Sequence, residues 1–168
     1  MLNLRQFWLL PITLGLTLVI TACYNQGEAA SSPVSKSQLA KSDAGLQVAA
    51  LMIKSGGKTH NFNVEVAKSG EEQAQGLMFR TQLAPDAGMI FPMKPARMAS
   101  FWMKNTVIPL DIIFIRPDGT IESVAANTTP YSLDPVPSGE PVAAVLELAG
   151  GRAAQLGISA GDKVEWTQ

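Results

Sequence analysis

The stretch Asp111-Ile112-Ile113-Phe114-Ile115-Arg116-Pro117-Asp118-Gly119-Thr120-Ile121-Glu122-Ser123-Val124-Ala125-Ala126 carries the pattern that decides how this chain folds. The run of large apolar side chains over 111–116 reads as a strand, and a second strand follows over 120–126. Between them, Pro117-Asp118-Gly119-Thr120 has the residue types that a tight turn requires. Working towards the amino terminus, 99–104, 88–92, 61–67 and 47–54 read as further strands, the last two joined through the hairpin signal Ser55-Gly56-Gly57-Lys58. Within 61–67, Phe62, Val64 and Val66 share one face while Asn63 and Glu65 take the other. Ser69-Gly70-Glu71-Glu72 is a capping box opening a short helix that carries Ala74, Leu77 and Met78 on one side. Towards the carboxyl terminus, four prolines make 127–141 a long loop; 142–148 resumes as a strand, 151–156 makes a short helix and 163–167 closes the chain. Many short strands with two short helices imply an α+β fold, a compact, strand-dominated and barrel-like mixed sheet.

Ahead of this unit the sequence changes character twice. After Arg5, an uncharged apolar stretch covers 7–20, too short to span a hydrocarbon core comfortably, which takes about 20 residues. A basic start, a short apolar run and small residues at its end make an export signal. The run ends in Leu18-Val19-Ile20-Thr21-Ala22-Cys23, which resembles a bacterial lipobox, and Cys23 is the chain's only cysteine. The expectation is a signal peptide over 1–22, lipidation of Cys23, and a Ser-, Ala-, Gln- and Lys-rich tether over 23–45. A single globular domain then covers 46–168. Several acyl chains hold such a protein at a membrane surface almost permanently. The expected location is therefore the extracytoplasmic side of a bacterial membrane, facing the periplasm if the cell is Gram-negative.

Composition removes several function classes. The 168 residues hold 13 Lys and Arg against 14 Asp and Glu, so the basic footprint of a nucleic-acid binder is missing. One Cys and one His exclude a disulfide framework and a closed Cys/His zinc site. Met78, Met89, Met93, Met98 and Met103 invite a Cu(I) reading, but methionines alternating with Phe and Ile in strands are ordinary core fillers. Neither a metal nor a cofactor is implied. His60 reads as a solvated strand-end residue, no G-x-S-x-G elbow occurs, and Met52 stands where a phosphate loop needs its first glycine.

What remains is a polar set beside bulky side chains. Arg80 follows Leu77-Met78-Phe79; Trp102 precedes Lys104 and Asn105; Asp111 enters the most apolar strand, where a carboxylate needs a cation or backbone N–H partner. Arg80 or Lys104 is the candidate cation, and a shared pocket requires these residues to lie on one face. Asp134 joins them from the proline-rich loop, since loops of this length often bind ligands. Asp111, Asp134 and Glu147 are the carboxylates in or beside strands, and glycosidase chemistry needs a pair at roughly 5–9.5 Å.

Gly76-Leu77-Met78-Phe79-Arg80, Gly88-Met89-Ile90-Phe91, Ser100-Phe101-Trp102-Met103-Lys104-Asn105-Thr106, Ile108-Pro109-Leu110-Asp111, Ser132-Leu133-Asp134-Pro135 and the ending Leu156-Gly157-Ile158-Ser159-Ala160-Gly161-Asp162 resemble the family catalogued as domain of unknown function 192. The resemblance spans about 64–166 and implies a compact, strand-dominated α+β unit, often with an export signal or lipobox. It transfers no biochemical activity. It does single out Arg80, Trp102, Lys104, Asn105 and Asp111 as motif residues. Many members have cysteines around the Ser-Leu-Asp-Pro segment; Tyr131 and Val136 stand there in this chain.

Two functions fit: an envelope-tethered binding or accessory module for a polar or anionic ligand or partner, and an envelope hydrolase using Asp111 as general base. Mass spectrometry of the membrane fraction should find a mature chain starting at an acylated Cys23. An intact leader with an unmodified thiol would contradict the lipobox reading.

Overall fold

The computed structural model describes residues 41–167. The leader, Cys23 and the tether up to residue 40 lie outside the described residues. Nine strands and two helices follow in the order β1 (Gln47–Ser55), β2 (Lys58–Val66), α1 (Gly70–Gln75), β3 (Ala87–Arg97), β4 (Ser100–Phe101), β5 (Leu110–Ile115), β6 (Ile121–Ala125), β7 (Val136–Pro137), β8 (Val142–Ala149), α2 (Arg152–Leu156) and β9 (Lys163–Trp166). Seven strands make one sheet ordered β6-β5-β8-β3-β2-β1-β9, and β4 pairs with β7 apart from it. Only β2 and β3 run parallel, so the sheet is mixed.

The sheet curls. Its two edge strands meet where Thr120, just before β6, bridges Lys163 at the start of β9. Val164 N–H to Gly119 O at 2.8 Å and Ile121 N–H to Asp162 O at 2.8 Å join them further. The result is a half-barrel closed at one place along its open side. Its inner face collects Leu51, Ile53, Val64, Ile90, Ile113 and Leu146 in one core, with Ala153 and Ile158 from α2 and the segment after it. The outer face carries a second core around Met89, Phe91, Ile112, Phe114 and Val145. Phe101 of β4 packs edge-on against Phe91 (5.0 Å) and Phe114 (6.4 Å), so the small β4–β7 sheet covers that outer face.

Local chemistry explains the connections. Ser69 accepts from Glu72 N–H while the Glu72 carboxylate accepts from Ser69 N–H, completing the capping box on α1. Asp118 accepts from Thr120 N–H at 2.9 Å and fixes the β5–β6 turn. Ser55 pairs with Lys58 across Gly56 and Gly57, whose φ values of 54° and 75° suit glycine. β3 runs past Pro92, where a strand was expected to stop; the register shifts between Pro92 and Arg97, which is how a sheet accommodates proline. The strand expected over 99–104 shrinks to Ser100–Phe101. Met103 N–H bonds Ser132 O instead of a ladder partner, and Asn105 takes a left-handed φ of 55°. The loop expected over 127–141 includes β7. Lys41 bridges Gln47, so residues 41–45 form a turn against β1 although the sequence boundary falls at 46. Among the described residues no helix is long and apolar enough to cross a membrane.

Candidate functional site: two clefts and a buried carboxylate knot

β-strand alternation decides what Asp111 does. It is in register with Leu148 on β8 and so points to the inner face, towards α2. Its side chain is fully buried. Oδ1 accepts from Asn127 N–H (2.7 Å) and Gly151 N–H (2.8 Å), and Oδ2 accepts from Ala153 N–H (2.7 Å). Gly151, the residue preceding α2, has no side chain to cap the helix, so the strand supplies the cap from across the core. Asp111 thus takes the backbone N–H solution and not a cation. A general base needs access to substrate, which this carboxylate lacks; the alternative reading of Asp111 as a hydrolase's base gives way to a structural role.

The remaining sequence candidates lie elsewhere. Arg80 Nη2 pairs with Glu65 Oε2 at 2.6 Å, on the outer face. Phe79, just before it, holds a φ of 63° and donates its N–H to Asn105 O. Asn105 Nδ2 in turn donates to the Met78 sulfur at 3.8 Å. Lys104 Nζ lies over the Trp102 ring, 5.2 Å from its centroid. Asp134 is exposed and engaged with Ser132 in a local turn. The structure therefore brings Met78 and Phe79, just before Arg80, to Asn105, and Lys104 to Trp102, and leaves Asp111 on the opposite face of the sheet. His60 is half-buried, its Nε2 without a hydrogen-bond partner, and not the solvated residue expected.

Two features come from the fold: the setting of Glu147, which the sequence offers only as one of three strand carboxylates, and a cavity that the sequence does not show. The first is Glu147, near the end of the central strand β8. Its register neighbours are Met89 on β3 and Ile112 on β5, and Met89 is in register with Glu65 on β2. Glu147 thus belongs to the apolar outer-face row and is only 5% exposed. Among the described residues no donor bonds its carboxyl. It lines a cleft of about 340 Å³ between the α1 end, with Gly76, Leu77 and Met78, and the segment Met98–Trp102. Burial pushes its pKa from 4.5 up to about 8. Trp102 and Met98 stand exposed at the rim, and Phe79, Tyr131 and Leu133 are exposed nearby on the loops tied to 103–106.

The second feature is the barrel mouth. α2 plugs the end of the barrel where β1 finishes, with Ser55 Oγ donating to Gly157 O. At the other end, where β1 begins, the inner-face rows continue into a cavity of about 540 Å³. Ala49, Val66, Pro92 and Trp166 wall it, Lys68, Lys94 and Arg97 carry its charge, and no carboxylate is among its lining residues. Lys68 Nζ donates to Gln47 Oε1 at 2.6 Å at its edge. Mouths of β-barrels are a recurrent place for ligands. Among the described residues no group of three or more His, Cys, Asp or Glu side chains is placed to hold a metal ion.

A curled mixed sheet, plugged at one end by a helix capped from a neighbouring strand and open at the other, defines a small α+β half-barrel class. The chain belongs to the family described as Uncharacterized ACR and catalogued as domain of unknown function 192, whose model matches residues 51–166. It is similar to a protein of unknown function from Novosphingobium aromaticivorans, with 50% identity and a TM-score of 0.74 over 76% of this chain and 91% of that one. It also resembles a Sinorhizobium meliloti protein provisionally described as a transcription regulator, at 43% identity and a TM-score of 0.70, over 72% and 95% of the two chains. No functionally curated protein matches it at a significant level.

Two stability predictions follow from the two acids. Asp111→Asn turns one acceptor into a donor facing an N–H, and should cost about 3 kcal/mol in denaturant unfolding; a loss below about 0.5 kcal/mol would contradict the knot. The raised pKa of Glu147 means that the folded state binds a proton more tightly than the unfolded chain. Stability should therefore be highest below about pH 4.5 in this group's contribution, and fall by up to about 1.4 kcal/mol per unit as pH rises towards 8. Glu147→Gln should remove that slope, read as the difference between the two proteins' denaturant curves across the range.

Proposed function

We propose that this protein is an envelope-tethered binding module, anchored through acyl chains on Cys23, whose barrel mouth receives an anionic ligand with an apolar portion. The observation that carries the reading is the mouth itself: Lys68 and Arg97 beside an apolar wall, with no acidic residue among those that line it. Cations grouped beside low-dielectric walls attract and hold anions, and the apolar floor adds burial that a simple inorganic ion does not need. Arg80, Lys104 and Asn105 are the motif residues expected to meet a polar or anionic ligand; Arg80 is committed to Glu65, and Lys104 to the Trp102 ring. The mouth takes over that role. The turn over 41–45, through which the tether enters the domain, bridges to Gln47, one of the mouth's own residues.

A binding role is favoured over hydrolysis because neither Asp111 nor Glu147 has a catalytic partner, and the third buried acid, Glu65, is paired with Arg80. Asp111 is enclosed by backbone amides, and Glu147 lies on the opposite face of the sheet. A transcription-regulator role, the provisional description of the Sinorhizobium relative, draws no support from a formal net charge of −1, which lacks the basic footprint of a DNA binder.

Equilibrium dialysis of 1-naphthyl phosphate against the full chain in a neutral detergent tests the mouth. Saturable binding should weaken at least about tenfold in the Lys68→Glu/Arg97→Glu double variant and fall with added salt. The neutral 1-naphthol should show no comparable dependence on these two side chains. Equal affinity in the double variant would overturn the proposal.

A further inference from the structure

Glu147 has no counterpart in the binding role just described, and its surroundings make it the most costly unexplained group in the fold. The carboxyl stands in a row of apolar neighbours, Met89 and Ile112, both fully buried. An isolated buried acid destabilises a fold, and an apolar side chain of similar size often stabilises it by comparison. Its polar end is not sealed in the core, because it lines the cleft under the Trp102 rim. A side chain about nineteen-twentieths buried, unpartnered and opening into a cavity is a half-built interaction.

The walls specify the missing half. Phe91, Phe101 and Trp102 bring aromatic rings to the cleft and Met78, Met93 and Met98 bring polarisable thioethers, beside the amides and hydroxyls of Gln73, Gln75, Ser100 and Thr106. Aromatic faces carry negative quadrupole density and attract cations, and they offer no hydrogen-bond donor to an oxygen acceptor. A neutral carbonyl would bond Glu147 only while that acid keeps its proton, and would draw nothing from the aromatic rings. A positively charged nitrogen gains from the carboxylate and from the Phe91 and Phe101 rings together, the Trp102 ring being already engaged by Lys104.

We infer that the Glu147 cleft is a second binding site, separate from the barrel mouth, for a ligand that presents a protonated nitrogen, ammonium or guanidinium, on an apolar stem. The two clefts share only Gln73 and Arg97 among their lining residues, so this site stands or falls independently of the anion reading. Several charged groups set its field. Arg97 from β3 is exposed at the boundary between the clefts. Glu65 from β2, one strand beyond Met89, is neutralised by Arg80, and Lys104 is held at the Trp102 ring. Glu72, beside the cleft on α1, is occupied by its own capping box. On β5 and β8 the packed neighbours Ile112 and Val145 carry no charge. Glu147 is thus the acid within the cleft available to a cation, and it must release its proton to pair with one.

That requirement gives the test. Benzylguanidinium stays charged throughout the accessible pH range, so any pH dependence of its binding belongs to the protein. Calorimetry with the full chain should show an affinity rising about tenfold per pH unit up to about pH 8 and then levelling, with one proton released per ligand. Repeating the titration in buffers of different ionisation enthalpy counts that proton. Glu147→Gln, checked for folding by its thermal transition, should lose at least about tenfold in affinity. Should that variant fold poorly, Glu147→Met, which fills the row with an apolar side chain, should show the same loss. Benzyl alcohol should compete with neither protein's ligand binding. The inference is overturned by an absence of saturable binding at millimolar concentration, by a pH-independent affinity without proton release, by equal binding in a folded Glu147 variant, or by benzyl alcohol competing effectively.

Discussion

The architecture depends on one carboxylate. Asp111 reaches from β5 into the inner core and gathers three backbone amides, from Asn127 after β6 and from Gly151 and Ala153 at the start of α2. A five-residue helix cannot hold itself together in water, because its nucleation cost exceeds the few hydrogen bonds it forms. Held by Asp111, it becomes a plug that lays Ala153 on the barrel core and positions Ile158 beside it. Charge-assisted bonds to backbone donors are among the stronger ones available, and here they offset the burial of the charge. The plug closes one end of the half-barrel, and the opposite end is left as a cavity.

Adjacent register positions then assign opposite roles to two acids. Asp111 faces Leu148 and lies inside; Ile112 faces Glu147, and both lie outside. A strand's period of two places neighbouring residues on different faces, so the two carboxyls are separated by the sheet itself. One is surrounded by donors and organises the fold. The other is surrounded by apolar and aromatic groups, lines a cleft and lacks a partner. Burial without compensation raises a carboxyl's pKa, and such a group in a cleft is a mark of function on physical grounds.

Much of the fold was legible in the sequence because short-range rules governed it. The Ser69 capping box, the Asp118 turn and the Gly56-Gly57 hairpin each need only a few residues, and each formed as read. The alternation of Phe62, Val64 and Val66 placed them in the inner core. The strand expected over 99–104 failed because Met103 and Thr106 bond within a loop whose partners come from around 130. The candidate site was less legible for a related reason. Asp111 could be recognised as needing a partner, yet its donors lie 16 to 42 residues away in sequence. Glu147 looked like one more strand carboxylate until the register set it between Met89 and Ile112. The basic mouth collects Lys68, Lys94 and Arg97 from two places in the chain, and only the curl of the sheet brings Trp166 to them.

Native-state hydrogen exchange at the amides of Asn127, Gly151 and Ala153 tests the organising role of Asp111 most directly. If one carboxylate ties the loop and the plug to the barrel, the three amides should exchange only through global unfolding, with a common free energy equal to the protein's stability. Rapid exchange at Gly151 and Ala153 while the β8 amides remain protected would show α2 detaching by itself, and would contradict the knot.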